Sequence, residues 1–335
     1  MKRVLLMAGV WLLVTGAALT IGPGDLTLAE IGAILGQYLP AAGSADLPLH
    51  RQAILLDVRL PRILLSGLVG AALSLAGTAL QGLFRNPMAS PYVLGISAGA
   101  ALGAVIALIW KADAWLAYLR AVPLFAFAGA VAATLIVYWL ARIKGRVPVA
   151  TLLLAGIALG SFLSAVVSLI LVFSEENVAS VLFWLMGGLG SADWSGLLLV
   201  IPYFLLGTLL LIFHSRELNA LLLGEEAAAH LGIDVESIKR RLLLATSLLT
   251  AAAVAVTGII GFVGLIVPHI VRLIVGPDHR LLIPLSGLAG AVLLTVMDTV
   301  ARSLLTQEIP VGVISALLGG PFFIILLRRH RAELL

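Results

Sequence analysis

The sequence predicts an all-α polytopic membrane fold, with about ten transmembrane helices and an inverted internal repeat. Composition is the first observation behind it. Of 335 residues, 61% are hydrophobic and 11% are charged, and the mean hydropathy is +1.14. A soluble domain carries about 25% charged residues, so a chain this poor in charge has too little polar surface for a cytosolic enzyme. Length is the second: at roughly 20 residues per span, ten spans use about 200 residues and leave room for connections. The third is the placement of basic residues, taken up below. There is no cysteine, which excludes disulfides, thiolate chemistry and thiolate metal ligation.

The apolar runs lie near 4–22, 63–83, 92–110, 121–140, 149–173, 195–213, 242–258, 259–276, 281–300 and 311–327. Lys2 and Arg3 before the first run resemble the start of a secretory signal. Val4 to Gly24 is uncharged for 21 residues, however, longer than the usual apolar core of about 7–15, so a retained span is expected. The second run follows Val58-Arg-Leu-Pro-Arg62, and the third opens on Gly95. Arg142, Lys144 and Arg146 separate the fourth run from the fifth. Positions 242–276 form one stretch of 35 residues, too long for a single ordinary span. Gly258, Gly261, Gly264 and Pro268 interrupt it, and the break is placed after 258. The whole chain, 1–335, reads as one transmembrane domain with halves near 1–194 and 195–335.

Ten spans put both termini on one side. With the termini inside, 15 of the 21 basic side chains fall on inside segments and six outside, as the positive-inside bias requires. Arg59, Arg62 and Arg302 run against that bias at the outer ends of spans.

The run Pro123–Thr134 (PLFAFAGAVAAT) aligns without gaps on Pro284–Thr295 (PLSGLAGAVLLT), 161 residues later, with 7 of 12 positions identical. The copies lie in the fourth and ninth spans. An odd separation makes them cross in opposite directions, the mark of an inverted repeat in transporters. A shared small-residue packing face would produce the same similarity.

Several candidate motifs carry no chemistry. Gly95-Ile-Ser-Ala-Gly99 matches a nucleophile elbow, yet it opens an apolar span and continues to Gly103 at helix-packing spacing. Gly156 and Gly160 read the same way. The six histidines include no local metal-binding pair, and no residue is assigned to a metal or to catalysis. None of the four lysines follows a glycine, so a Walker loop is absent and the chain cannot hydrolyse ATP by itself. Asp298 is the one carboxylate placed inside a span. It could serve an ion-coupled carrier, but Arg302 one turn later makes an i,i+4 ion pair the plainer account.

The inside segment 214–241 is rich in Leu, Ala and Glu and is interrupted by Gly224 and Gly232. It predicts a short two-helix element beneath the membrane, either a solvated connector or a docking knob for a cytosolic partner.

Five motifs occur in order: Val58-Arg-Leu-Pro-Arg62, Arg85-Asn-Pro-Met-Ala-Ser-Pro91, Leu94-Gly-Ile-Ser-Ala-Gly-Ala100, Gly224-Glu-Glu-Ala-Ala-Ala-His-Leu-Gly232 and Gly261-Phe-Val-Gly-Leu-Ile-Val-Pro-His269. Over nearly its whole length the chain resembles the FecCD-like permease subunits of type II ATP-binding-cassette importers for iron chelates, haem and cobalamin. The resemblance implies a homodimer in the cell inner membrane, two cytosolic ATPases that bind ATP and magnesium, and an external solute-binding protein. It implies neither a cofactor in this chain nor any nucleic-acid partner, and lipid surrounds the subunit. Gly224, Glu225, Glu226, Ala227, Ala228, His230, Leu231 and Gly232 would contact the ATPase. Asn86, Pro87 and Met88, with Val149 and Ala150, would form the cytoplasmic gate. Val149-Ala150 stands where some members carry small hydroxyl residues, which makes the gate more apolar. Arg59, Arg62 and Arg302 would receive acidic residues of the binding protein. The outer segment Glu176–Trp194 would contain a partly inserted helix beside the pathway, or a cap that only packs. The expected activity is inward movement of a bulky metal chelate, with an ion-coupled secondary transporter as the alternative.

Overall fold

The computed structural model describes residues 2–22, 24, 26–37, 48–112, 120–305 and 307–332, with side chains described as far as Leu326. Each of the ten apolar runs forms a helix. In chain order these are α1 (Lys2–Thr20), α3 (Leu49–Leu83, with a π-helical turn over Ile54–Arg59), α4 (Ile96–Ile109), α5 (Ala121–Ala141) and α6 (Val149–Val172), followed by α8 (Trp194–Phe213), α11 (Val235–Thr257), α12 (Val263–Val275), α13 (His279–Ser303) and α14 (Val311–Ala332). Among the described residues, four shorter α-helices join them: α2 (Leu28–Gly36), α7 (Val178–Met186), α9 (Ser215–Leu222) and α10 (Glu225–His230). Helices satisfy their own backbone groups, which is why long apolar segments adopt them in lipid.

The centre of the bundle is α3, buried along most of its length and packed against α1, α8, α11, α12 and α13. Its partner α13 runs antiparallel to it. Arg62 meets Asp298, Ser66 meets Thr295 at 3.2 Å, and Ser74 donates to the Ser286 carbonyl at 2.7 Å. The two backbones cross where a Cβ on Gly290 would lie 2.3 Å from the Gly70 carbonyl oxygen. Gly129, 161 residues earlier, makes the matching approach in the first half, where a Cβ would lie 2.2 Å from the Gly99 oxygen.

The same offset of 161 carries α5 to 282–302 and α6 to 310–333, against the observed His279–Ser303 and Val311–Ala332. The third and eighth spans, α4 and α12, are both short, at 14 and 13 residues. At 1.5 Å per residue each covers only about two thirds of a hydrocarbon core of about 30 Å. Short apolar segments at corresponding positions of two halves are a feature of transporter repeats.

The long stretch 242–276 breaks between Thr257 and Val263, where the split was expected. Gly264, just inside α12, packs against Leu73, midway along α3, so this irregular backbone lies deep in the bundle. Such backbone survives only with buried partners. The Thr257 carbonyl accepts from Gly188 at 2.7 Å, and the Tyr92 hydroxyl donates to the Ile260 carbonyl. The expected helix in 176–194 is α7, which packs beside α4 and α6. Its end meets α14, where Gly312 donates to the Gly187 carbonyl at 3.0 Å.

Candidate functional site

The 214–241 segment forms α9 and α10 at one end of the bundle. α9 is fixed from below: Leu218 and Leu221 are buried, and Asn219 reaches the start of α13. There the Asn219 amide donates to Asp278 at 2.6 Å, and its carbonyl oxygen accepts from the His279 backbone at 2.8 Å. The Asn219 hydrogen bond, then that from the Arg280 backbone, hold the Asp278 carboxyl below its ordinary range.

Helix α10 is bounded by glycines for a conformational reason. Gly224 and Gly232 have φ of 114° and 82°, which side chains rarely tolerate. After Gly232 the chain closes the helix with Ile233 donating back to Ala228 at 3.2 Å. Ala228 alone is buried in this helix. Glu226, Ala229 and His230 are exposed, Glu225 and Ala227 partly so. Leu223 and Leu231 flank the helix and are 71% and 66% exposed, although they lie outside every span. An uncovered leucine thus stands on either side of α10.

The Asn86-Pro87-Met88 turn lies beside this element. Arg85 has a φ of 49° and places its guanidinium 3.4 Å from where a Cβ on Gly224 would stand. The Asn86 side chain accepts from the Met88 backbone at 2.9 Å, which fixes the turn. Val149 is half-buried and Ala150 exposed on the first turn of α6. The two groups sit on separate elements, joined further along where Gly156 of α6 packs under the Val93 carbonyl.

The three outlying arginines lie at the opposite end, and all three are buried. Arg59, Arg62 and Arg302 are 2%, 7% and 4% exposed. Arg62 grips Asp298 with three hydrogen bonds of 2.9–3.1 Å and also donates to Glu308 at 2.9 Å. Arg59 donates to the carbonyls of Leu19 and Gly22 at 2.6 and 2.7 Å. Arg302 donates to the Ala18 carbonyl at 2.5 Å and stands 4.0 Å from Asp298. The expected Asp298–Arg302 pair is therefore the longer contact, and Arg62 is the principal partner. Carbonyl oxygens at the end of α1 and the buried Asp298 carboxylate accept from these guanidinium groups inside the chain, while the Arg302 Nε has no hydrogen-bond partner.

Two features escaped the sequence reading. One is Glu308, which shares Arg62. The other is Lys239, buried between Glu225 and Glu236. Only the Glu236–Lys239 spacing of three residues on a helix hints at the second.

Known proteins agree with this architecture. The model of the FecCD transport family matches residues 9–329. The chain is 47% identical over 288 residues to the cobalamin import system permease protein BtuC of Halobacterium salinarum, covering 86% of this chain and 77% of that one. It is 46% identical over 288 residues to the hemin transport system permease protein HmuU of Yersinia pestis, covering 84% of each. A solved structure described as an inward-facing metal-chelate type ABC transporter superposes with a TM-score of 0.86 at 32% identity, over 98% of this chain and 99% of that one. With a family match across almost all of its length and relatives near half identity, this chain belongs to the FecCD transport family.

Proposed function

We propose that the chain is the multi-pass permease subunit of an ATP-binding-cassette importer. Its cargo is a bulky metal chelate of the haem, cobalamin or ferric-siderophore class, selected by a separate solute-binding protein. ATP and magnesium are bound by two cytosolic partner subunits. The observation that carries the reading is α10, a glycine-bounded helix with exposed flanking leucines beyond the membrane, which is what docking on a partner requires. The α9–α10 end, both termini and the Asn86–Met88 turn then face the cytoplasm, and the Arg59–Arg62–Arg302 end faces outward. A second copy covers the apolar outer faces of α6 and α14, where Leu154, Ile157, Leu317 and Leu318 are exposed.

Docking of the binding protein at the outer end would begin with Glu308. Its carboxylate is about half exposed, so an incoming acidic side chain can compete with it for Arg62. The ion-coupled alternative loses support because its candidate carboxylate, Asp298, is held by Arg62 and stands beside Arg302.

Proteoliposomes with the ATPases and binding protein test the proposal. Replacing 225–229 by a Gly/Ser stretch is expected to leave the permease inserted and to abolish ATP-driven uptake. Uptake by the unaltered chain on an ion gradient alone, or ATP-driven uptake that survives the replacement, would overturn it.

A further inference from the structure

Lys239 is an amine held inside the protein at the α9–α10 end, 3% exposed. A buried charge needs partners, and three elements supply them. Its Nζ donates to Glu225 of α10 at 2.6 Å, to Glu236 one turn earlier on α11 at 3.1 Å, and to the Val147 carbonyl at 3.1 Å. Glu236 closes the circuit by accepting from the Val147 backbone N–H at 3.0 Å. Both backbone polar groups of Val147 are thus tied to α11.

Val147 ends a stiff connection between α5 and α6. Lys144 and Gly145 have φ of 48° and 84°, the signature of a tight two-residue turn. Ile143 and Arg146 close it with hydrogen bonds of 2.8 and 3.0 Å. Only Pro148 then separates Val147 from Val149 and Ala150.

We infer that Lys239 is the positioning residue that carries a displacement of α10 to the first turn of α6. The inference rests on the proposed reading of α10 as the ATPase contact. An exposed ion pair opens at little cost because water replaces the lost partner. Here the Glu225 carboxylate is partly exposed but the Lys239 ammonium is not, so water can replace the amine for the acid but not the acid for the amine, which would be left buried with only Glu236 and the Val147 carbonyl. Movement of Glu225 therefore draws Lys239 with it, and Lys239 draws Val147. A chain that only packed α10 against α11 would have met the same burial with an apolar side chain.

The chain has no cysteine, so Arg146→Cys, at an exposed position in the turn, accepts one spin label per subunit. The labelled permease is assembled with its ATPases in nanodiscs, and the distance between the two labels is measured with and without ATP. Transport per ATP hydrolysed is measured in proteoliposomes. In the labelled parent the distance is expected to change with nucleotide. Lys239→Met is expected to remove that change and to lower transport per ATP about 5-fold or more, the lower end of ordinary coupling between sites. Lys239→Arg, which keeps the charge, is expected to restore part of both. If Lys239→Met is not recovered from membranes, Glu225→Gln, on a partly exposed side chain, carries the same test with the same outcomes. A parent that switches while the variant keeps both the distance change and the transport ratio overturns this inference alone. A parent that assembles but whose turn stays still overturns it as well. A parent that binds no ATPase overturns the importer reading, and the inference with it.

Discussion

Asp298 lies within the membrane-crossing length of α13 and would be costly there unpaired. Its i,i+4 neighbour Arg302 was visible in the sequence. Arg62, 236 residues away, was not, because only the antiparallel packing of α3 on α13 brings the two together. A guanidinium presents two parallel N–H groups to a carboxylate, and here Arg62 does so while Arg302 turns to the end of α1. Asp298→Ala would leave Arg62 with Glu308 alone and Arg302 with the Ala18 carbonyl alone. Loss of one member of a buried pair costs about 3–5 kcal/mol, so this variant is expected to unfold at a distinctly lower temperature in detergent, as read by thermal aggregation. Asp298→Glu, which keeps the charge, should recover part of the loss. Equal stability of Asp298→Ala and the parent would show that the cluster does not hold this end together.

Among the elements, long apolar runs were legible because their length and composition alone decide the outcome in lipid. The break between α11 and α12 was legible too, since Gly258 and its neighbours could not continue a helix buried on all sides. Helix α2 was missed, although its start was written in Thr27-x-x-Glu30. There Thr27 accepts from the Glu30 backbone at 3.3 Å, and Glu30 accepts from the Thr27 backbone at 2.8 Å, a capping box. Helix α10 was legible as an element, but its tie to α6 was not, because Lys239 and Val147 are 92 positions apart. Close crossings make a sharper test of the fold. Gly290→Ala places a methyl 2.3 Å from the Gly70 oxygen, beyond what side-chain adjustment can absorb. The helices must separate, at a cost above the usual overpacking penalty of about 1–3 kcal/mol. Gly16→Ala, with nothing within 4 Å of the new methyl, should be neutral or slightly stabilising, since alanine favours helix by about 1 kcal/mol. Membrane yield and melting temperature of the two variants check this contrast, and equal behaviour would contradict the packing described for α3 and α13.

At the scale of the whole molecule, α6 and α14 occupy equivalent positions of the two halves, and each presents an uncovered apolar face, as α1, α5 and α8 also do. In a two-fold dimer every residue on such a face is repeated across the axis, so one substitution acts twice on a pathway between the copies. Ala150 is the residue to use. It is exposed on the first turn of α6, and nearby Val147 is tied to α11 by Glu236 and Lys239, so the start of α6 is held to that helix. If the proposed gate lies here, Ala150→Trp adds bulk to a constriction whose backbone is held. The expected result is a steep fall in uptake by proteoliposomes, with insertion, ATPase assembly and binding-protein association retained. Ala150→Gly, which removes bulk from the same place, is expected to leak substrate without ATP instead. The two variants must move in opposite directions if the site is a gate. If Ala150→Trp lowers binding-protein association while transport per docked complex is unchanged, the first turn of α6 shapes the subunit from a distance and the gate lies elsewhere.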